Sequence, residues 1–573
     1  MPRTQNLTNQ IVPRRKFPKL VFVSGGVLSG LGKGITTASV SLLLKSRGYK
    51  VTAIKCDMYL NIDAGTMNPV EHGEVFVTDD RAETDQDIGH YERFLNENLP
   101  GRNYITAGQV YYDVLQKERR LEYGGKTIDA YEEIPEEIIR RIKRAAQSSE
   151  IAVIELGGTV GEYQNIMFFE AIRRLKIKDP GSTLLIHVGY LPIPQTLGEP
   201  KSKPIQQSIQ ELNSLGLRPD FVVARSEKPI DLKRKEKIAF SAAIDPQDVI
   251  ANPDVNPVYR VPLVLEEQEL ARKILQRFGL RSRGRKLGDW KNLIKRIEKA
   301  QKPVRIGMIA KYISSGDFTL EDSYICVNEA VKHAAWDLGL DPQLVWIDSE
   351  KLEGMGKKEL EKTLGELDGM IVPQGWGSRG TEGKIKAIQF ARENKIPYLG
   401  LCFGMQMAVI EFSRHVLGLK DAHTAEADPK TKNPVIHVMP NQQRYLQNRQ
   451  YGGTIRLGAW KCGIAPRTLL RRIYGRGVVS ERHRHRYELN NRYRQVLEKN
   501  GMRLCGLSSD KELVEAVELD QKLHPFFLGV QFHPELKSRP LAPHPIFREF
   551  IRAASGAEGK DRPQKRGRKR ASL

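Results

Sequence analysis

Cysteine is scarce in this chain, and long apolar runs are missing. The five cysteines, Cys56, Cys326, Cys402, Cys462 and Cys505, are scattered, odd in number and form no CxxC pair. That argues against a disulfide scaffold or a zinc site and for a reducing compartment. No stretch approaches the roughly 18 apolar residues of a membrane span, and the N-terminus has no long apolar signal-like core. The expectation is a cytoplasmic protein with no membrane partner.

Acidic residues are missing from residues 1–19, which carry five basic ones. The net charge of +22 is concentrated: net +5 in residues 1–19, +5 in 556–573 and +6 in 281–299, sixteen of the total. Charge held in tails and a connecting stretch reads as solvated surface rather than a specific nucleic-acid site. The 573 residues suffice for two to four domains.

What is present centres on Pro397 to Gln406, PYLGLCFGMQ. Tyr398 to Leu401 reads as a short buried strand, and a helical pattern follows from Gly404 to His415. Cys402 stands between two close glycines at this strand-to-helix corner, the arrangement of a nucleophile elbow with sulfur in place of oxygen. The helix N-terminus favours negative charge there. Downstream, an apolar strand from Phe526 to Phe532 leads into His533, Pro534 and Glu535. Nucleophile, base and orienting carboxylate are then Cys402, His533 and Glu535. Gly375, in the loop Pro373 to Gly380, and Phe403 offer backbone N–H groups for an oxyanion.

Near the N-terminus, strand Lys19–Ser24, the loop GGVLSGLGKG (Gly25 to Gly34), helix Ile35–Arg47 and strand Val51–Cys56 begin a parallel α/β domain. The glycines let backbone N–H groups approach phosphate, and Lys33 supplies charge. The loop departs from a standard P-loop: five residues separate Gly26 from Gly32, and Gly34 stands where Ser or Thr would bind magnesium. Metal must then be held by carboxylates. Glu155, near the end of strand Ile151–Leu156, is well placed for this. Of the acids in Glu71 to Phe94 (Glu74, Asp79, Asp80, Glu83, Asp85, Asp87), most are expected to be solvated. Lys201 to Gln206, KSKPIQ, follows strand Thr183–Tyr190 and offers two lysines to a second polyphosphate. Residues 281–302 read as a basic connector, and a second α/β domain starts near Val304. In SERHRHRYELNN (Ser480 to Asn491), His483 and His485 have no neighbouring ligand for a metal, and Arg482, Arg484 and Arg486 are expected to anchor carboxylates.

These motifs, in order SGGVLSGLGKG, GTMNPVEHGEVFVTDDRAETDQDIGHYERF, IELGGTVGE, KSKPIQ, GLCFGMQ, RHRHRYE and FHPE, resemble the CTP synthase family from about Lys19 to Ser555. The resemblance implies a P-loop-like parallel-sheet synthetase domain (17–280), a linker (281–302) and an α/β class I glutamine amidotransferase domain (303–555), between basic tails 1–16 and 556–573. It implies UTP amination with ATP and Mg²⁺, using ammonia released from glutamine. Gly375, Phe403, Gly404, Met405, Gln406, Glu426 and Arg486 match the glutamine site. Gly30, Leu31, Gly32, Lys33, Gly34, Ile35, Lys55 and Asp87 match the ATP site, with the metal on Asp87 and Glu155. Ser29, Glu162, Tyr163, Gln164, Lys201, Ser202, Lys203, Pro204, Ile205, Gln206 and Lys237 match the UTP and CTP pocket. GTP activation through a lid near Gly452–Gly458, CTP inhibition and a homotetramer are further family traits.

Some residues depart from the family pattern. Gln374 stands where the oxyanion loop usually has Gly, which would be strained if that position needs a positive φ. Gln164 replaces a common acid, Pro253 a frequent lysine, and Met439 to Tyr451 diverges. Two other readings compete: a related glutamine-dependent amidoligase with another acceptor, and a basic scaffold built on a dead enzyme. UTP-dependent phosphate release separates the first, and salt-sensitive nucleic-acid binding lost with residues 556–573 separates the second.

Overall fold

The computed structural model describes residues 17–556 apart from 27, 29, 197, 312–313, 316–317 and 320; the side chains of 314–315, 318–319, 321 and 441 are also left undescribed. Ser29 and most of both basic tails therefore lie outside the described residues. The chain divides into two compact units, one from residues 1–58 and 110–286, the other from 59–109 and 287–573. The segment 59–109, assigned by sequence to the N-terminal domain, groups with the C-terminal unit.

In the first unit, six parallel strands lie in the order Val51–Asp57, Ile151–Leu156, Lys19–Gly25, Thr183–Tyr190, Phe221–Ser226 and Val249–Pro253. The strands Val51–Asp57 and Ile151–Leu156 are buried along their whole length, as a parallel sheet covered by helices on both faces requires. The helix after the Gly-rich loop runs Lys33–Ser46, starting two residues earlier than its apolar pattern suggests, because Gly32 ends the loop at φ 78°. Register places Lys55 directly beside Glu155.

The second unit carries a nine-stranded mixed sheet. Leu340–Asp348, Lys302–Ala310, Gly369–Val372, Tyr398–Leu401 and Phe527–Val530 are parallel in that order. Val514–Leu519, Met502–Ser508, Arg456–Ile464 and Val478–His485 extend the sheet antiparallel. Alternation sorts the strand side chains: Met370, Val372 and Tyr398 join the helix Phe403–His415, while Ile371, Leu399 and Leu401 join the helices Ile325–Asp337 and Pro545–Ala554.

The basic connector keeps its lysines and arginines exposed and is helical from Gly288 to Lys299, with only an apolar stripe, Trp290, Leu293 and Ile294, buried, Trp290 lying 5.1 Å from Phe94. One expectation is corrected. The acids of 71–94 are mostly engaged. Glu74, Glu83 and Glu92 are buried, and Asp80 accepts from Gly101 N–H at 2.9 Å. The reason is a set of arginines far along the chain. Arg482 meets Asp79 at 2.6 Å and Glu92 at 3.0 Å, Arg484 meets Glu83 at 2.8 Å, and Arg539 also binds Glu92.

Candidate functional site

In the second unit, Cys402 stands between strand Tyr398–Leu401 and helix Phe403–His415 at φ 50°, ψ −99°. A non-glycine residue holds such a conformation only when its surroundings enforce it, and strain of this kind gathers at functional sites. The enforcement is visible. Cys402 N–H donates to Val530 O at 2.7 Å, and the Tyr398 hydroxyl donates to Gly404 O at 2.8 Å. Gly404 lies so close to the Gly369–Val372 strand that a Cβ would collide with Val372 O.

His533 Nδ1 meets Glu535 Oε1 at 2.7 Å. Burial alone would lower the imidazole, but the Glu535 carboxylate, with Cys402 beside it, outweighs this and raises it to about 10. His533 Nε2 is buried and makes no close hydrogen bond, the Cys402 thiol being the neighbour of the ring. Cys402, His533 and Gly375 line one cavity with Glu74, Tyr324 and Gln374. Gln531 donates to Cys402 Sγ at 3.4 Å and accepts from Gln406 Nε2 at 3.2 Å.

The loop carrying Gly375 is held from below by two lysines. Lys384 Nζ reaches Pro373 O at 3.4 Å, and Lys311 donates to the carbonyls of Trp376 and Gly377. Both ammonium groups lie over the Phe403 ring, at 5.1 and 4.8 Å. Burial lowers Lys311 to about 8 and holds Lys384 well below the usual lysine range. Gln374 is not among the residues with positive φ, so the strain expected of it does not arise. Met405 packs beneath Gly529.

Glu426 accepts from Gly377 N–H at 2.7 Å, and burial raises its carboxyl. Arg486 donates to Thr454 at 2.9 Å, while its Nη1 is buried with no protein acceptor. One carboxylate and one guanidinium so placed suit the ammonium and carboxylate of an amino acid. His483 and His485 are 3.2 Å apart beneath Arg456, and burial pushes both well below the usual histidine range.

In the first unit, Gly30 and Gly32 adopt φ of 71° and 78°, opening the loop so that Gly32 caps the helix N-terminus ahead of Lys33 and Gly34. Leu31 is buried, Ile35 is half-buried, and Lys33 donates to Gly158 O. Lys55 Nζ lies 2.9 Å from Glu155 and 3.7 Å from Asp57. Two hard carboxylates suit a magnesium ion shared with nucleotide phosphates better than a protein-only cage. Among the described residues no group of three such ligands occurs. Asp87 belongs to the other unit, in the first turn of helix Gln86–Leu95, where its N–H donates to Asp85 at 2.8 Å.

Glu162 accepts from Thr159 N–H and hydroxyl, both at 2.7 Å, and from Gln164 at 3.4 Å. Lys201, Ser202, Lys203, Gln206 and Lys237 border one cavity of about 680 Å³, with Phe240 in its wall. Pro204 stands in the first turn of the helix Lys203–Ser214, and Ile205 is turned into the core against Gly189.

Sequence reasoning missed Asp57, Glu74, Lys311, Lys384 and Gln531. Only Asp57 had a local signal, its place at the end of a buried strand beside Lys55.

Fold and site together define a class I glutamine amidotransferase unit joined in one chain to a parallel-sheet synthetase unit. Residues 19–280 match the family described as CTP synthase N-terminus, and residues 319–553 match glutamine amidotransferase class-I. The CTP synthase of Sulfurisphaera tokodaii is 48% identical over 541 residues, covering 94% of this chain and 99% of that protein. The CTP synthase of Carboxydothermus hydrogenoformans is 49% identical over 540 residues, covering 94% and 98%. A Trypanosoma brucei CTPS glutaminase domain is 37% identical, with a TM-score of 0.40, over 44% of this chain and 94% of that one. The chain belongs to the CTP synthase family. It is an enzyme that converts UTP to CTP with glutamine as nitrogen donor.

Proposed function

We propose that Cys402 Sγ attacks the glutamine carboxamide while the backbone N–H groups of Gly375 and Phe403 receive the oxyanion. His533 gives a proton to the departing ammonia and then takes one from the water that hydrolyses the thioester. Glu535 orients the ring. Arg486 and Glu426 hold the α-carboxylate and α-ammonium. The observation that carries this is the strained elbow at Cys402 sharing a cavity with the His533–Glu535 pair.

In the other unit ATP phosphorylates the uracil O4, and ammonia displaces the phosphate at C4. Residues Gly30 to Ile35 and Lys55 take ATP, Glu155 takes Mg²⁺, and the basic cavity takes UTP or the inhibitor CTP. Four lysines around one opening support a polyphosphate guest. Phe240 and Tyr163, 90% and 88% exposed, support completion of this site by a second copy within a homotetramer. A cavity of about 930 Å³ bordered by Gly453, Ile455, Arg456 and Trp460 supports GTP as activator beside the lid segment. Five free buried cysteines favour a cytoplasmic setting.

The test is isotopic. Glutamine labelled with ¹⁵N at the amide, supplied with UTP, ATP, Mg²⁺ and GTP, should yield CTP labelled at the 4-amino group. CTP formed without label, or no CTP from any nitrogen source, refutes the assignment.

A further inference from the structure

The cavity of Cys402 and His533 has a polar wall that these steps leave unused. Gln374, next to Gly375, donates from Nε2 to Glu74 Oε1 at 2.6 Å. Glu74 is buried, and its second oxygen accepts from Cys326 N–H at 2.7 Å. The Gln374 amide thus turns its nitrogen toward Glu74 and its oxygen away, an orientation the ionised carboxylate favours because it can only accept. That oxygen is itself buried and receives no hydrogen bond from the protein. Leaving such an acceptor unpaired costs about 1–3 kcal/mol unless a guest supplies the donor.

The guest's chemistry follows from the cavity. It holds about 40 Å³ and is lined by Gln374, Cys402 and His533 together. That is room for one molecule the size of water or ammonia. When the tetrahedral adduct on Cys402 collapses, His533 protonates the nitrogen, which still carries two N–H bonds in a narrow cavity. Those bonds need acceptors, and the unpartnered Gln374 oxygen is one.

We propose that Gln374 Oε1 contacts the substrate, accepting a hydrogen bond from the carboxamide nitrogen of glutamine as it departs as ammonia. Glu74 is the positioning residue that keeps this oxygen facing the cavity. Glutamate, which has a carboxylate in place of the amide, offers this oxygen no donor, so the contact also favours substrate over product. The inference rests on Cys402 as nucleophile.

The test uses full-length wild type, Gln374→Leu, Gln374→Met, Glu74→Gln, the double variant Glu74→Gln/Gln374→Glu, and Cys402→Ala. Glutamine kcat/KM is measured by glutamate release with UTP and ATP present, and ammonia-driven CTP synthesis by the same preparations serves as reference. Gln374→Leu should lower glutamine kcat/KM about tenfold relative to that reference, mainly in kcat. Glu74→Gln keeps the volume but offers an N–H to Gln374, turning the amide round, and should lose as much. The double variant restores an acceptor toward the cavity and should recover to within about threefold. A Gln374→Leu enzyme within twofold of wild type overturns the contact, as do equal losses of both activities in Gln374→Leu and Gln374→Met. A harmless Glu74→Gln, or a double variant without recovery, overturns the role of Glu74. Retained glutamine use by Cys402→Ala would instead remove the nucleophile on which the inference stands.

Discussion

At Cys402 the side chain and the backbone make opposite demands: the chemistry needs a sulfur, while φ 50° and ψ −99° suit glycine. Removing the sulfur should separate the two. Cys402→Gly should be more stable than Cys402→Ala by about 1 kcal/mol in urea unfolding, since glycine relieves the strain; equal stabilities would show that the elbow is not strained. His533 carries the pH dependence. Its folded value is raised to about 10 from 6.5, so its contribution to stability is complete below about 6.5 and is lost as pH rises through about 10. Its acid form persists over the same range. Glu535→Gln should move the alkaline limb of glutamine kcat/KM to lower pH, and an unmoved limb would count against the pairing. These three residues were legible because an elbow and a His-x-Glu are local patterns. Glu74 was not: its partner Gln374 lies 300 residues away, and no local spacing records such a bond.

Among the elements, the helix Phe403–His415 sets the geometry of the site, and Gly404 sets the helix. Gly404→Ala must push that helix off the Gly369–Val372 strand, because the obstructing Val372 O belongs to the backbone. Glutamine use should fall at least a hundredfold, with ammonia-driven synthesis as comparison; normal glutamine kinetics would refute the close packing. A second prediction concerns Glu92, buried between Arg482 and Arg539. Glu92→Ala leaves two buried guanidinium groups short of a partner and should destabilise the second unit by about 3 kcal/mol in denaturant titration, whereas a neutral effect would mean the cluster is solvated. Most strands and helices were legible, since their apolar runs and glycine stops are local. The fate of the acids in 71–94 was not, because the arginines that bury them lie about 400 residues downstream.

Over the whole molecule, the proposed reading divides two chemistries between two units, one built around Cys402 and the other around Lys33 and Glu155. Lys33→Ala should abolish CTP formation from glutamine and from ammonia alike, because both need the activated pyrimidine; normal rates would reject its place at the phosphates. The overall assignment was legible because seven motifs recur in order along the chain. The grouping of 59–109 with the C-terminal unit was not, since contiguous sequence gives no sign of it. The most direct measurement is CTP formation from UTP, ATP and Mg²⁺ by wild type and Cys402→Ala, each given glutamine and then ammonia. Wild type should use both nitrogen sources, and Cys402→Ala only ammonia, at a rate within about twofold of wild type. Glutamine use by Cys402→Ala, or loss of both activities in a folded variant, would contradict the division of labour.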